Sequence, residues 1–360
     1  MIPIYEPWIA TTQEENVSAC IRENWISSRG RFVNTFETNL CEYTEAADLT
    51  TCCNGTAALH LALLALGLKE GDEILVPSFA YIAAVNAISY IRGTPRFVDI
   101  DSLTWNMSPI DAEKKISTKT KAIICVHTYG VPCDMTMFRD LADSNNLFLI
   151  EDCAEALGSF QGGKHVGTTA DVSTFSFFGN KTITTGEGGA VSSRNPDIIA
   201  RVSRLKNQGL VQHGGYDHDI VGYNYRMTNI QAAIGVAQLA EVHKILNLKR
   251  KIADRYRRDL IDFAEFQDCD TKQCSNWINT MKFETIARTH AVHRALECNN
   301  IEVRPGFSPV DKMPMYKSEL KLPRTQENID RLLCLPSHPG LTEDQQTQII
   351  DIIAGEFKSK

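Results

Sequence analysis

Short apolar segments alternate with helical segments between residues 73 and 192, and this alternation limits the fold more than any other feature of the chain. The segments are nearly continuous in apolar residues, as buried parallel strands are. We predict strands at Glu73–Val76, Arg96–Asp99, Lys121–His127, Leu147–Glu151, Val172–Phe178 and Ala190–Ser192. Strands separated by helices predict an α/β fold in which a mostly parallel sheet has helices on both faces.

Polar or aromatic residues follow several of these strands and one earlier strand-like segment. In parallel sheets, ligands collect at the edge where the strands' carboxyl ends meet. Five places in the sequence converge on that edge, namely Asn54, Ser78 to Tyr81, His127, Asp152 and Phe178. The sequence therefore predicts a ligand site there.

Lys181 follows one of these strands and precedes a glycine-rich bend. The segment reads T-F-S-F-F-G-N-K-T-I-T-T-G-E-G-G. A lysine amine in a partly dry pocket loses part of its preference for the charged form and can bond covalently to an aldehyde. Asp152 ends an upstream strand in L-F-L-I-E-D-C-A-E-A-L-G. A lysine and a carboxylate in these places meet two needs of a pyridoxal phosphate site, an anchor for the aldehyde and a charge that keeps the ring nitrogen protonated. A solvated surface lysine is the alternative interpretation.

These motifs resemble those of the DegT/DnrJ/EryC1/StrS family of sugar-nucleotide aminotransferases. The similarity extends from Ile2 to the last predicted helix, through Asp152, Ser176 and Lys181 in the two segments quoted above. The resemblance implies the fold of type I pyridoxal phosphate enzymes, with a large and a smaller domain. It also implies pyridoxal 5'-phosphate as cofactor and L-glutamate as amino donor.

The resemblance further implies which residues bind the cofactor. Lys181 and Asp152 take the catalytic roles described above, and Glu155 contacts the ring hydroxyl. The full set of implied cofactor-binding residues is Gly55, Thr56, Tyr81, Asp152, Glu155, Ser176, Lys181 and Asn224. Asn224, in G-Y-N-Y-R-M-T-N, is expected to reach the phosphate in a neighbouring subunit, so a homodimer with shared sites follows.

For several of these positions, a purely structural role is an alternative to ligand binding. Asn54-Gly55-Thr56 can be a tight turn before a capped helix without any ligand. Tyr81 can be a core tyrosine, and His127 can cap a strand instead of touching the ring.

The remaining candidates concern the substrate. The loop W-I-S-S-R-G, which contains Ser27, is expected at the mouth of the site. A loop that ends a helix and packs its tryptophan would have the same sequence pattern without contacting a ligand. Arg226 is a candidate for an anionic group, and Asp311 for hydrogen bonds to guanine. The expected substrate-binding residues are thus Ser27, His127, Arg226 and Asp311, and no metal is expected.

The expected acceptor is a nucleotide-linked 4-keto-6-deoxy sugar. The resemblance is greatest to members that convert GDP-4-keto-6-deoxy-D-mannose to GDP-perosamine, an O-antigen sugar precursor of lipopolysaccharide biosynthesis. Gly306, Asp217 and Asp311 depart from what such members carry, which leaves UDP- or dTDP-4-keto-6-deoxyglucose as alternative acceptors, and viosamine as the sugar made. A sugar dehydratase is a further alternative, but dehydratases of the family carry histidine where this chain has Lys181. A non-enzymatic regulator is the last alternative function.

Composition narrows the functional class and the location. The net charge of −7 argues against a nucleic-acid partner, which needs a clustered positive surface. Eleven cysteines without a C-x-x-C motif favour a reducing compartment, and the start M-I-P-I-Y-E-P-W lacks the features of a signal peptide. We therefore expect a cytoplasmic protein that neither spans nor binds a membrane.

The domain boundary is predicted from a change in composition. We expect a large cofactor-binding domain over residues 1–245 and a small C-terminal domain over 246–360. We also expect a mobile loop from Gly209 to Asp219, a helix beginning just after Pro77, and one long helix that starts at N-I-Q-A-A-I-G-V-A-Q-L and runs to about Leu260.

Overall fold

A computed structural model of the chain describes residues 1–211 and 215–358. The middle of the predicted Gly209–Asp219 loop, residues 212–214, lies outside the described residues. The helices are α1 (Gln13–Arg22), α2 (Arg31–Thr44), α3 (Gly55–Ala65), α4 (Ala83–Tyr90), α5 (Pro109–Lys115), α6 (Met135–Ser144), α7 (Pro196–Lys206), α8 (Asn229–Ala240), α9 (Val242–Leu260), α10 (Ile286–Cys298), α11 (Pro323–Asn328) and α12 (Glu343–Lys358). The strands are β1 (Leu49–Cys52), β2 (Glu73–Pro77), β3 (Thr94–Val98), β4 (Thr120–Val126), β5 (Phe148–Asp152), β6 (Phe160–Gln161), β7 (Lys164–His165), β8 (Val172–Ser176), β9 (Gly189–Ser192), β10 (Glu265–Phe266), β11 (Asn279–Lys282), β12 (Arg304–Pro305) and β13 (Leu332–Leu335).

A seven-stranded sheet forms the centre of the larger part of the chain. Its strand order is β1-β9-β8-β5-β4-β2-β3. The four neighbouring pairs from β8 to β3 are parallel, and only the pairs β1–β9 and β9–β8 are antiparallel. The predicted α/β fold with a mostly parallel sheet is therefore confirmed.

Helices cover both faces of this sheet because successive strand residues point to opposite sides. On β2, the side chains of Ile74 and Val76 pack in a cluster with residues of α3 and α4. Leu75, between them, packs in another cluster with Phe138 of α6. With both faces covered by helices, the ends of the strands are the part of the sheet that a ligand can reach.

A second, four-stranded sheet follows later in the chain. Its order is β10-β11-β13-β12, and all its pairs are antiparallel. Met281 and Leu333 from this sheet pack with Tyr256 of α9 and Ile349 of α12. The division into domains at residue 245 stays a prediction, and that position falls inside α9.

Two of the predicted helix boundaries are wrong. The long helix is interrupted at Glu241, whose backbone lies at φ −104° and ψ 9° between α8 and α9. The Glu241 carboxylate accepts hydrogen bonds from the Thr11 amide at 2.8 Å and the Trp8 indole at 2.9 Å, which ties this break to the N-terminal segment. The helix expected after Pro77 begins only at Ala83, so residues 78–82 form a turn at the end of β2.

Within the described ranges, none of the helices is both long and apolar enough to cross a lipid bilayer.

Candidate active site

Lys181 lies in a turn just after β8 and is largely enclosed. Its side chain is 12% exposed, and its Nζ lies 3.8 Å from Oε1 of Glu155. Its amide donates a hydrogen bond to the Phe178 carbonyl at 2.9 Å, which fixes the turn. Burial lowers the pKa of Lys181, while the nearby carboxylates of Glu155 and Asp152 act in the opposite direction. The structure therefore excludes the alternative of a solvated surface lysine.

Asp152 is the last residue of β5 and is buried. Its Oδ1 accepts a hydrogen bond from the Ala154 amide at 3.0 Å. Burial raises the pKa of Asp152, and the Ala154 amide and the Lys181 ammonium oppose that rise. A buried carboxylate with a single hydrogen bond to the backbone retains acceptor capacity for a positively charged partner.

Glu155 lies one turn beyond Asp152 and next to Lys181. Its Oε2 accepts a hydrogen bond from the Tyr129 amide at 2.7 Å. Burial raises its pKa to about 7, against the influence of the Lys181 ammonium. Glu155 and Lys181 therefore form a buried pair in which the pKa of the carboxyl is raised and that of the amine is lowered, so the two pKa values move towards each other.

The start of α3 lies directly against the end of β8. Asn54 caps the helix by accepting a hydrogen bond from the Ala57 amide at 2.8 Å. A Cβ atom on Gly55 would lie 2.7 Å from Cβ and 2.9 Å from Oγ of Ser176, so only glycine allows this approach. The structure thus brings Gly55, Thr56 and Ser176 together, and a helix start beside a hydroxyl is suited to phosphate.

An aromatic cluster that the sequence did not indicate lies on the other side of Lys181. The Nζ of Lys181 is 3.9 Å from the centroid of the Trp277 ring. Phe307 stacks on Tyr129 with centroids 4.9 Å apart, and Trp277 lies 6.4 Å from each of them. These residues come from distant parts of the sequence, and no short motif links them to Lys181.

Tyr81 is 59% exposed, so it is not a core tyrosine. Its ring centroid lies 6.1 Å from that of Phe307, which connects it to the aromatic cluster. A tyrosine that is open to solvent beside enclosed aromatic rings is available to pack on a bound ring system.

His127 is fully buried behind the carboxyl ends of β4 and β5. Its Nδ1 accepts a hydrogen bond from the Cys133 amide at 3.0 Å, and its Nε2 lies 3.3 Å from Oε1 of Glu151. Its amide donates to the Asp152 carbonyl at 3.3 Å. These contacts of His127 are thus to the protein interior, and its expected contact with the substrate stays a prediction.

Three other candidates lie near the surface. Ser27 is exposed, and its carbonyl accepts a hydrogen bond from the Asn229 amide at 2.6 Å. Arg226 is half-buried and donates to Oδ1 of both Asn207 and exposed Asn224, each at 3.0 Å. Among the described contacts, no hydrogen bond or ion pair joins Asn224 to Lys181 or Asp152. The described hydrogen bonds within one chain therefore join Asn224 to Arg226 and not to the two catalytic candidates.

Asp311 is buried rather than open to a ligand. Its Oδ1 accepts a hydrogen bond from the Ser78 hydroxyl at 2.5 Å, and its Oδ2 lies 3.0 Å from Nζ of Lys312. The geometry gives Asp311 a structural role at the end of β2, and its expected contact with guanine stays a prediction. Gly306, by contrast, lines a cavity of about 310 Å³ together with Phe307.

The chemistry of these donor groups fits pyridoxal phosphate. An enclosed lysine amine suits the aldehyde, a buried carboxylate suits the ring nitrogen, and Ser176 with the start of α3 suits the phosphate. The tight approach of Gly55 to Ser176 and the capacity left on Asp152 are features of this structure that support the fit.

Comparisons with known proteins agree with this site. The family model described as the DegT/DnrJ/EryC1/StrS aminotransferase family matches residues 7–354. The chain is 47% identical to a GDP-perosamine synthase of Escherichia coli O157:H7 and 45% identical to one of Vibrio cholerae, and both alignments cover 99% of each chain. The putative sugar aminotransferase Spr1654 from Streptococcus pneumoniae matches with a TM-score of 0.93 in its PLP form, at 26% identity, over 99% of this chain and 98% of that one.

The match over nearly the whole length, by sequence and by structure, identifies the type of enzyme. Aminotransferases of this family depend on pyridoxal phosphate, as the site geometry independently suggests. The chain belongs to the DegT/DnrJ/EryC1/StrS aminotransferase family.

Proposed function

We propose that the protein transfers an amino group from L-glutamate to C4 of GDP-4-keto-6-deoxy-D-mannose and so produces GDP-perosamine. The observation that carries the proposal is the identity of 47% and 45% to two GDP-perosamine synthases over 99% of each chain. The retained lysine at position 181 supports transfer of an amino group over dehydration of the sugar.

The side chains around Lys181 support this chemistry. Pyridoxal phosphate, when bound, supplies an electron-accepting ring and an aldehyde. Asp152 would face the ring nitrogen, where its negative charge keeps the ring protonated. Gly55, Thr56 and Ser176 would hold the phosphate, and Glu155 would contact the ring hydroxyl.

Lys181 is proposed as the group that moves the proton. Its Nζ is enclosed, and burial lowers its pKa, so a larger fraction of the amine is uncharged than in an exposed lysine. A neutral amine can accept a proton from the α-carbon of glutamate and return it at the cofactor carbon. Glu155, 3.8 Å away with a pKa raised by burial to about 7, can share that proton.

The choice of GDP as the nucleotide now rests on the sequence identities alone. Asp311 was expected to distinguish guanine from uracil, but it is buried against Ser78. Gly306 lines a cavity beside Phe307, but a Cβ atom there would lie 2.8 Å from Cβ of Leu332, so the missing side chain faces Leu332. The UDP- and dTDP-linked 4-keto-6-deoxyglucoses therefore stay alternative acceptors.

A direct comparison of acceptors tests the proposal. The purified enzyme is assayed with L-glutamate and with GDP-, UDP- or dTDP-linked 4-keto-6-deoxy sugars. The highest kcat/KM is expected for the GDP-linked mannose derivative. A higher kcat/KM for a UDP- or dTDP-linked glucose derivative would replace GDP-perosamine with viosamine as the sugar made.

We also propose a homodimer in which Asn224 completes the site of the partner subunit. Asn224 is exposed and is held by Arg226, and Val221, three residues earlier in the chain, is 84% exposed. Trp25 and Ile26, each 52% exposed, belong to the loop that is bonded to Asn229 at the start of α8. Large apolar side chains that stay exposed are expected on a surface that another chain covers.

A subunit-mixing experiment tests the shared site. Lys181→Ala and Asn224→Ala damage different halves of each site, so a heterodimer should contain one intact site and recover activity. If subunit exchange is verified by mass and no activity returns, the site is not shared.

A cytoplasmic location is the last part of the proposal. Its support is that all eleven cysteines are free, as is typical of a reducing compartment. Fractionation of cells that produce the protein tests it, and recovery outside the cytoplasmic fraction would contradict it.

A further inference from the structure

Lys249 of α9 is fully buried, and no ion pair with a carboxylate is found for it among the described residues. Its Nζ donates hydrogen bonds to the carbonyl oxygens of Trp277 and Ser337, both at 2.9 Å. Burial lowers its pKa to about 7. Removing an ammonium group from water without a counter-charge is unfavourable, so two well-placed carbonyls compensate only in part. A lysine in such a place calls for a role.

The contacts of Lys249 lead to Lys181 by two routes. Along the first, Lys249 holds the carbonyl of Trp277, whose ring lies 3.9 Å from the Nζ of Lys181. The Trp277 indole also donates to the Asn180 carbonyl at 2.5 Å, so the ring is fixed next to Lys181. Along the second, the Nζ of Lys249 lies 5.1 Å from the ring of Tyr5, whose hydroxyl donates to the Lys181 carbonyl at 2.5 Å. We call Tyr5, Lys249 and Trp277 the lysine cage.

Tyr5 can hold Lys181 because the N-terminal segment is itself fixed. The Ile4 amide donates to Oε2 of Glu302 at 3.1 Å, and the Ser337 amide donates to the Ile4 carbonyl at 3.1 Å. Ser337 therefore binds both the N-terminal segment and Lys249. The cage is thereby bound to the second sheet, while Lys181 follows a strand of the first.

We propose that the lysine cage holds the Lys181 amine between the Trp277 ring and Glu155, and that Lys249 and Tyr5 are positioning residues of the reaction. The proposal rests on the proposed role of Lys181. A lysine side chain has many rotamers, and proton transfer requires its amine at one place. Fixing both its carbonyl and its amine restricts these rotamers while the amine is free of the cofactor.

The reactivity of Lys181 in the full-length protein without cofactor tests the cage directly. The wild type, Tyr5→Phe and Lys249→Met are labelled with acetic anhydride over a range of pH, and Lys181 is followed by peptide mapping. Loosening the cage lets water reach the amine, so its pKa should rise towards the ordinary lysine value in both variants.

Two matched variants serve as controls. Tyr256→Phe removes a buried hydroxyl that donates to the Pro336 carbonyl at 3.1 Å from the same helix, and Lys251→Met removes an exposed lysine two residues from Lys249. Neither residue belongs to the cage, so both should leave the pKa of Lys181 unchanged. An unchanged pKa in Tyr5→Phe and Lys249→Met would overturn the proposal, and Tyr5→Phe decides alone if Lys249→Met does not fold.

A double-mutant cycle in the holoenzyme provides the second test. For the reaction with glutamate alone, each single cage variant should lower the rate about tenfold without changing apparent glutamate affinity. Residues that act as one unit are not additive, so the double variant should be about as slow as the slower single one. Tyr5→Phe combined with Tyr256→Phe should show only the effect of Tyr5→Phe. If the rate reduction in the double variant equals the product of the reductions in Tyr5→Phe and Lys249→Met, the two residues do not act through a common cage.

Neither test involves a sugar nucleotide, so the proposal about the cage still holds if the proposed acceptor turns out to be wrong. Failure of Lys181 to bond the cofactor would instead remove the proposed function and would be detected separately by reductive labelling.

Discussion

Two enclosed lysines, Lys181 and Lys249, differ in the groups that surround them. Lys181 has the carboxylate of Glu155 at 3.8 Å and that of Asp152 nearby. Lys249 has two backbone carbonyls and an aromatic ring. Burial lowers the pKa of both amines, but carboxylates counteract that effect only at Lys181.

The difference separates a lysine that can exchange a proton from one that can only hold its neighbours. Glu155, with a pKa of about 7, is a proton partner for Lys181. The backbone carbonyls beside Lys249 accept hydrogen bonds but cannot take a proton. Enclosure of a lysine is therefore a poor sign of catalysis by itself, and an adjacent carboxylate of raised pKa is a better one.

The largest expected effect is on Lys181 itself. Lys181→Ala should abolish transamination, because the cofactor anchor and the proton carrier are the same amine. Lys249→Met, which removes the other enclosed amine, should leave activity that is lowered but measurable. Product formation is followed by chromatography. Loss of all activity in a folded Lys249→Met variant, or residual turnover in Lys181→Ala, would reverse the comparison.

The next largest expected effect is on the pH dependence of stability and concerns Lys249. The folded-state pKa of Lys249, about 7, lies below its ordinary value of 10.5, so the unfolded chain binds the extra proton between these values. Stability should therefore rise with pH across that window, by up to roughly 5 kcal/mol at 1.36 kcal/mol per pKa unit. Below about pH 7 both states carry the proton, and this contribution is constant.

Urea unfolding from pH 6.5 to 10 checks this expectation. Lys249→Met should lose most of the rise, whereas Lys251→Met, on the exposed side of the same helix, should keep it. Parallel curves for the wild type and Lys249→Met would mean that the amine is charged in the folded protein at all these pH values.

Asp152→Asn should lower the rate strongly, although less than Lys181→Ala does. The amide retains the shape of the carboxylate but not the charge that would keep the ring nitrogen protonated. Loss of a charge-assisted hydrogen bond is worth about 1.5–3 kcal/mol, so kcat should fall at least roughly tenfold to 150-fold. Circular dichroism should show the fold unchanged. Near-normal turnover would show that another residue holds the nitrogen.

The smallest expected effect is that of Glu155→Gln, which leaves Lys181, like Lys249, without an adjacent glutamate carboxylate. Glu155→Gln removes the carboxylate that favours the ammonium form, so the pKa of Lys181 should fall further below its ordinary value. Acetylation of Lys181 as a function of pH measures the change, and Glu187→Gln, exposed beyond the turn, is the control. A pKa that rises or stays constant would mean that Glu155 is not the partner of the amine.

The sequence predicted much of the environment of Lys181 and nothing of the environment of Lys249. Lys181 follows an aromatic strand and precedes glycines, and Asp152 ends a strand, so both are marked by local patterns. Lys249 lies in L-K-R-K-I and is followed directly by two residues of the same charge, and such a segment is usually a solvated helix face. Only its spacing from Ile245, Ile252 and Tyr256, which are all buried, places it on the inner face.

Tertiary contacts explain the other discrepancies. Trp277 and Phe307 reach the site because a second sheet packs there, and no local motif encodes that approach. Glu241 interrupts an otherwise helical stretch because its carboxylate bonds to Thr11 and Trp8, more than two hundred residues away in sequence. Asp311 is polar and follows prolines and a glycine, as exposed loop residues often do, yet it is buried by its bond to Ser78.

Reductive labelling tests the central claim most directly. The enzyme is mixed with pyridoxal phosphate, reduced with borohydride and digested, and the peptides that carry the cofactor are identified by mass spectrometry. We predict that the label lies on Lys181 and that it is lost when L-glutamate is added before the reduction, because the amino group then occupies the cofactor. A label on Lys249 or on any other lysine, or a label on Lys181 that glutamate does not remove, would contradict the account.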